Sequence, residues 1–146
     1  MADMTSADFA FARYEHRQIK ASLEDIRQAA DTIGRLSPAL AANAVSRIRA
    51  WLATSLGPHA AWEDTVVYPE IDQATATEWA TKLMRFEHHQ IERLGPVLEA
   101  DVALLRTGPV SHAQLADIRA HLIGLEALLR AHIEKEETFL LPCLTD

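Results

Sequence analysis

Residues 115–142 read LADIRAHLIGLEALLRAHIEKEETFLLP. Leu115, Ile118, Leu122, Leu125 and Leu129 recur at alternating spacings of three and four, which is one face of an α-helix. The next two positions on that stripe are His132 and Glu136. An imidazole and a carboxylate therefore stand where two more leucines would continue a core.

The surrounding chain is built to fold around such a stripe. It has 146 residues, enough for one domain with a real core, and 49% of them are apolar, which argues against disorder. The formal charge of −7 is spread without a basic block, so nucleic acid is not an expected partner. No apolar run approaches the roughly 20 residues of a membrane span, and no basic-then-apolar leader opens the sequence. The single cysteine, Cys143, excludes an intrachain disulfide framework and a multi-cysteine zinc site. A cytoplasmic protein is the expectation, and oligomeric state is not readable.

Punctuation divides the chain into four periodic segments. Ser37 and Pro38 predict a helix start after the break at Gly34. Tyr68-Pro69 predicts the end of the second segment, and Thr75 with Glu78 predicts a capping box opening the third. Gly95-Pro96 reads as a kink, Gly108-Pro109 as a stop, and Ser111 with Gln114 as the capping box of the fourth. Four helices of about 25 to 30 residues joined by short turns predict an all-α, up-down-up-down four-helix bundle. The sequence also repeats itself. YEHRQI at 14–19 returns as FEHHQI at 86–91, and PHAAWEDTVVYP at 58–69 returns as AHIEKEETFLLP at 131–142. A single domain over 1–146, with repeat halves at about 8–72 and 75–146 and a pseudo-two-fold axis, is expected.

The other helices carry the same anomaly. The first stripe runs Phe9, Ala12, His16, Ile19, Leu23, Ile26; the second runs Val45, Ile48, Leu52, His59, Glu63, Val66. The third runs Met84, His88, Ile91, with Gly95 and then Leu98. Each helix thus places one histidine inward, and the second and fourth add a glutamate one turn on, on the same face. Measured from the turns, the histidines differ in depth by only about 6 and 3 Å within the two helix pairs, so one layer can hold all six. A lone core histidine is usually just hydrogen-bonded. Four imidazoles and two carboxylates with no cation on their stripes need another explanation, because an unpaired buried carboxylate costs several kcal/mol. Bound metal supplies it. Zinc sites use three or four donors, usually including sulfur when structural. Six donors with two carboxylates suit a pair of iron or manganese ions, each held by two imidazoles and bridged by the glutamates. The Glu-x-x-His motif of ferritin-like di-iron bundles is missing.

These motifs, EHxxI at Glu15–Ile19 and Glu87–Ile91 and HxxxE ending in proline at His59 and His132, resemble those of the hemerythrin-like, or HHE cation-binding, family. The resemblance covers nearly the whole chain. It implies a non-haem di-iron centre with His16 and His59 on one iron, His88 and His132 on the other, and Glu63 and Glu136 bridging; manganese or zinc are the alternatives. Oxygen-carrying hemerythrins add a histidine four residues after the third-helix ligand. Here Glu92 stands there, a further candidate ligand or a surface residue. The resemblance implies a protein that binds or reacts with a small ligand, O2, NO or peroxide. A peroxidase- or oxidase-like di-iron enzyme and an iron-sensing module are the alternatives. No catalytic residue is assigned. His89 is expected on the flank, His121 as a satisfied core histidine, His112 in solvent, and Asp64 and Glu137 exposed or beside the ligands. Trp51, Trp62 and Trp79 are expected to pack, and Cys143 has no assigned role.

Overall fold

The computed structural model describes residues 4–144, so the domain limits expected at residues 1 and 146 lie outside the described residues. Among those described, the structure is entirely helical. The α-helices are α1 (Ser6–Thr32), α2 (Pro38–Trp51), α3 (Gly57–Trp62), α4 (Tyr68–Thr75), α5 (Trp79–Glu92), α6 (Leu94–Arg106) and α7 (His112–Lys135). They run as four long helical stretches, with α2, α3 and α4 continuous through residues 38–75.

The starts are chemically explicit. The Ser37 hydroxyl accepts from the Leu40 N–H with Pro38 in the first turn, as expected, and Ser111 with Gln114 forms a reciprocal capping box. A further box, Thr5 with Asp8, opens α1. The capping box expected at Thr75 does not form. Ala76 adopts a left-handed conformation (φ 55°) that closes α4, and the Thr75 hydroxyl is used on the Ile71 carbonyl. The Thr77 hydroxyl instead accepts from the Trp79 N–H.

Pro69 does not end its helix. Wide π-turns at Leu52–Leu56, Glu63–Val67 and Glu136–Leu140 each come directly before an X-Pro pair. The residue before the proline donates its N–H five residues back: Gly57 to Leu52, Tyr68 to Glu63 and Leu141 to Glu136. A proline ring in a regular helix collides with the carbonyl four residues back, and a turn with one extra residue gives that carbonyl room. The extra residue rotates the stripe. Val67 is buried and Val66 is exposed at 37%, the reverse of the expected placement. Gly95 and Pro96, read as a kink, lie in the first turn of α6, just after the one-residue interruption at Arg93 that separates it from α5.

α2 packs along α6 and α1 along α7, while α7 also meets α5 and α6. The larger apolar cluster holds Leu23, Leu98, Leu122 and Leu125, and a smaller one holds Val67, Tyr68, Ile71, Met84 and Leu140. Between them, in every helical stretch, sit the polar stripe positions. No described helix is long and apolar enough to cross a membrane.

Candidate metal centre

All six stripe residues converge. His16, His59, Glu63, His88, His132 and Glu136 are buried, the most exposed being His88 at 8%. Their donor atoms form two groups, Glu63–His88–His132–Glu136 and His16–His59–Glu63, and within each group the atoms lie within 4.8 Å of one another. His59 Nε2 is 2.9 Å and His88 Nε2 3.6 Å from Glu63 Oε1, while His16 Nε2 is 3.9 Å from Glu63 Oε2. Glu136 Oε2 is 3.3 Å from His16 Nε2, and its Oε1 contacts His132 Nε2. Each carboxylate therefore reaches histidines of both halves of the chain. Glu92 is outside: its side chain is exposed and lies 3.6 Å from His89 Nδ1.

A second ring of carboxylates surrounds the first. His16 Nδ1 lies 3.2 Å from Glu137 Oε1, His88 Nδ1 3.0 Å from Asp64 Oδ1, and His132 Nδ1 2.7 Å from Glu87 Oε2. Glu15 stands in the matching place at 3.8 Å from His59 Nδ1, too far for a hydrogen bond. A carboxylate only accepts, so each bonded Nδ1 carries a proton and Nε2 is the nitrogen that faces inward, its lone pair free for a metal once that nitrogen is deprotonated. Lys20 pairs with Glu137 at 2.7 Å, and Lys135 pairs with Glu87. Asp64 and Glu137, expected either exposed or beside the ligands, lie beside them with about a third of the side chain exposed, whereas Glu15 and Glu87 were not assigned. Their signal was present, since both histidines of the EHxxI repeat are preceded by glutamate.

Tyr68 was also missed, having served only to mark a boundary. It is fully buried, and its hydroxyl donates to Glu136 Oε1 at 3.1 Å and lies 3.3 Å from His88 Nε2. Its ring stacks on the His88 ring (5.5 Å between centroids), and the Arg85 guanidinium covers it. The π-turn at Glu63–Val67 carries Tyr68 to this position.

Electrostatics mark the layer as a site for cationic charge. Burial alone would lower the His16 pKa, but hydrogen bonding and charge from Glu136 and Glu63 outweigh it and carry it up to about 10. His132 is raised on the same balance of burial against Glu136 and Glu63. Glu63 falls well below the usual carboxylate range: burial opposes its charge, and hydrogen bonds from its neighbours win. Burial and the facing carboxylates raise Tyr68, so its phenol keeps its proton. Among the described residues, two buried atoms, Glu136 Oε2 and His59 Nδ1, have no hydrogen-bond partner. A buried carboxylate oxygen with His16 Nε2 at 3.3 Å, but out of hydrogen-bonding geometry, fits a metal ion among inward-facing imidazoles.

The residues left aside sort as follows. His89 is on the flank and His112 is exposed, as expected. His121 is satisfied by Asp101 at 2.7 Å, but its side chain is half-exposed rather than core. Trp62 packs against Phe11 and His59, whereas Trp79 is 70% exposed, because α5 begins at it and turns it outward. Cys143 is exposed.

A cavity of about 520 Å³ opens onto the layer between α3 and the α5–α6 junction, reaching His59, Glu63, His88 and His132. A helical bundle with a buried histidine–carboxylate layer able to hold metal is thus the class that fold and site define. The family model for the hemerythrin HHE cation-binding domain matches residues 9–144, and the chain belongs to that family. No curated protein and no solved structure matches it.

Proposed function

We propose that the layer holds two iron ions, His16 and His59 on one and His88 and His132 on the other, with Glu63 and Glu136 bridging. The observation that carries this is the reach of each carboxylate: Glu63 lies beside His16, His59 and His88, and Glu136 beside His16 and His132. A single ion would leave part of that donor set unused. Iron suits the mixed imidazole and carboxylate donors, with manganese or zinc as the alternatives. The up-down-up-down topology and the two-fold repeat belong to the same reading. Their support is the matched pairs of contacts, Glu15–His59 with Glu87–His132 and Asp64–His88 with Glu137–His16.

Bound there, such a pair supplies the chemistry for binding or reducing O2, NO or peroxide. The chain's own residues orient and protect. The outer carboxylates fix the imidazoles, the apolar clusters limit water, and the cavity gives a small molecule a path from solvent. Tyr68 favours a second reading, a peroxide- or oxygen-reducing enzyme, because its hydroxyl holds a proton at hydrogen-bonding distance from Glu136.

The test is metal content by mass spectrometry on natively purified protein, with an absorption spectrum of the same sample. Two irons per chain with near-ultraviolet oxo-to-iron bands are expected, and Glu136→Ala should lower the stoichiometry. Two irons retained in Glu136→Ala would remove the bridge assignment, and no metal in a stable folded protein would remove the whole reading. Repeated turnover of hydrogen peroxide with consumption of reductant separates the enzyme from the binding protein.

A further inference from the structure

We propose that the cavity beside the metal layer is a binding pocket for a neutral, mainly apolar organic molecule, held between α3 and the α5–α6 junction. Its volume of about 520 Å³ falls within the roughly 300–1,000 Å³ of organic-ligand pockets, whereas a single water needs only about 10–15 Å³ of such space and a diatomic little more. Its deep wall is aliphatic, formed by Ile19, Leu52, Leu56, Ile91, Leu129 and Ile133. Its floor is the layer itself, with Glu63, His59, His88 and His132, and its exposed charges stand at the rim. Arg49 is paired with Glu99 at 3.1 Å, and both side chains are in water. The buried charges at the floor are already paired within the layer, Glu63 with His59 at 2.9 Å and His132 with Glu136, so a charged ligand would leave water without gaining an unpaired counter-charge and a neutral one is preferred.

The pocket exists because of residue choice on one side of the molecule. Its walls carry Ala53, Gly57 and Gly95. The sequence repeat aligns these with Glu126, Arg130 and Leu23. At those positions Arg130 bonds Glu126 at 2.6 Å and Glu24 at 3.1 Å, and Leu23 is completely buried. The hollow on that face is lined by Glu24, Arg27, Glu126 and Arg130 and reaches none of the six layer residues. A β-carbon placed on Gly95 would meet nothing within 4 Å, so the space in front of it is free. The hollow on the repeat's face is of similar volume, about 530 Å³, but charged side chains line it and it stops short of the layer; where small residues stand instead, the opening is lined by aliphatic side chains and leads to His59, His88 and His132. The role of the occupant as a substrate rests on the di-iron reading above; the pocket's capacity to bind does not.

Equilibrium dialysis of radiolabelled indole, naphthalene and octan-1-ol against the purified protein tests this, with metal content measured on the same samples. Saturable binding of at least one probe at one site per chain is expected. Gly95→Leu should weaken it by about tenfold or more by filling the pocket, without changing metal stoichiometry. Ala53→Leu, from the opposite wall, should do the same and guards against a folding defect peculiar to one variant. Absence of saturable binding, or binding unchanged in both folded variants, overturns the proposal. Binding that is lost in the variants of a protein carrying no metal upholds the pocket and overturns the di-iron reading instead.

Discussion

At Glu87 one carboxylate divides its work: Oε2 takes His132 Nδ1, and Oε1 takes the Lys135 ammonium. Burial opposes its ionisation, yet Lys135 and His132 hold its pKa below the usual range, so it is charged wherever the protein is folded near neutrality. A charged acceptor on Nδ1 strengthens and orients the imidazole at Nε2. Glu87→Gln keeps the size and removes the charge, and it should weaken metal binding by about 10- to 100-fold in a chelator-competition titration. Unchanged affinity would show that Glu87 merely pairs with Lys135. The glutamate of the EHxxI repeat was visible in the sequence; its target was not, because Glu87 and His132 are 45 positions apart. Tyr68 escaped for a related reason. Its relevance depends on Glu136, 68 positions away.

Among the elements, the caps at Ser37 and Ser111 were readable, while the cap expected at Thr75 and the wide turns were not. Ser111 and Gln114 satisfy each other's backbone N–H groups locally, so four residues of sequence suffice to predict them. Ser111→Ala should destabilise the protein by about 1 kcal/mol in urea denaturation, through lost satisfaction of the Gln114 N–H. A change within error would mean that water replaces the cap at no net cost. The π-turns are not legible in the sequence because proline there reads as a helix terminator. A helix can instead absorb the proline by widening the preceding turn, provided packing on either side holds both segments in line. The outcome matters chemically. The π-turns at Glu63 and Glu136 begin at the two glutamates, so the inward stripe changes phase beside the site, burying Val67 and Tyr68 on one stretch and Leu140 on the other.

For the whole molecule, the polar layer links folding to protons and to metal. Without metal, His16 takes up a proton in the folded state, with a pKa up to about 10 against an ordinary 6.5. Its contribution to stability is complete below 6.5 and is lost as the pH climbs towards 10. Glu63 acts in the opposite sense, stabilising above its ordinary 4.5 and losing that contribution as the pH falls towards its lowered value. Metal requires the imidazoles unprotonated, so its stabilisation grows with pH. Calorimetry should therefore show the chelated protein's Tm falling between pH 6.5 and 10 while the metal-loaded protein holds, so that the gap widens. A gap independent of pH would mean that His16 takes no part in the charge balance of the layer.

The sequence by itself determined what one helix can encode. The apolar period, the caps at Ser37 and Ser111, the polar positions on each stripe and the family follow from short local spacings, and six donors on inward faces have few other uses. Only the tertiary structure decided which donors lie side by side, which carboxylate holds which imidazole, that Glu92 stays outside, and that Tyr68 enters. It also decided that the hollow beside Gly95 reaches the layer while the one beside Arg130 does not. These depend on the distance and phase between helices far apart in the chain. Whether a junction opens depends on the sizes of the side chains that stand at it, Gly95 on one side of the molecule and Leu23 at the corresponding place on the other, and phase depends on turns that widen before a proline; periodicity within a single helix carries neither.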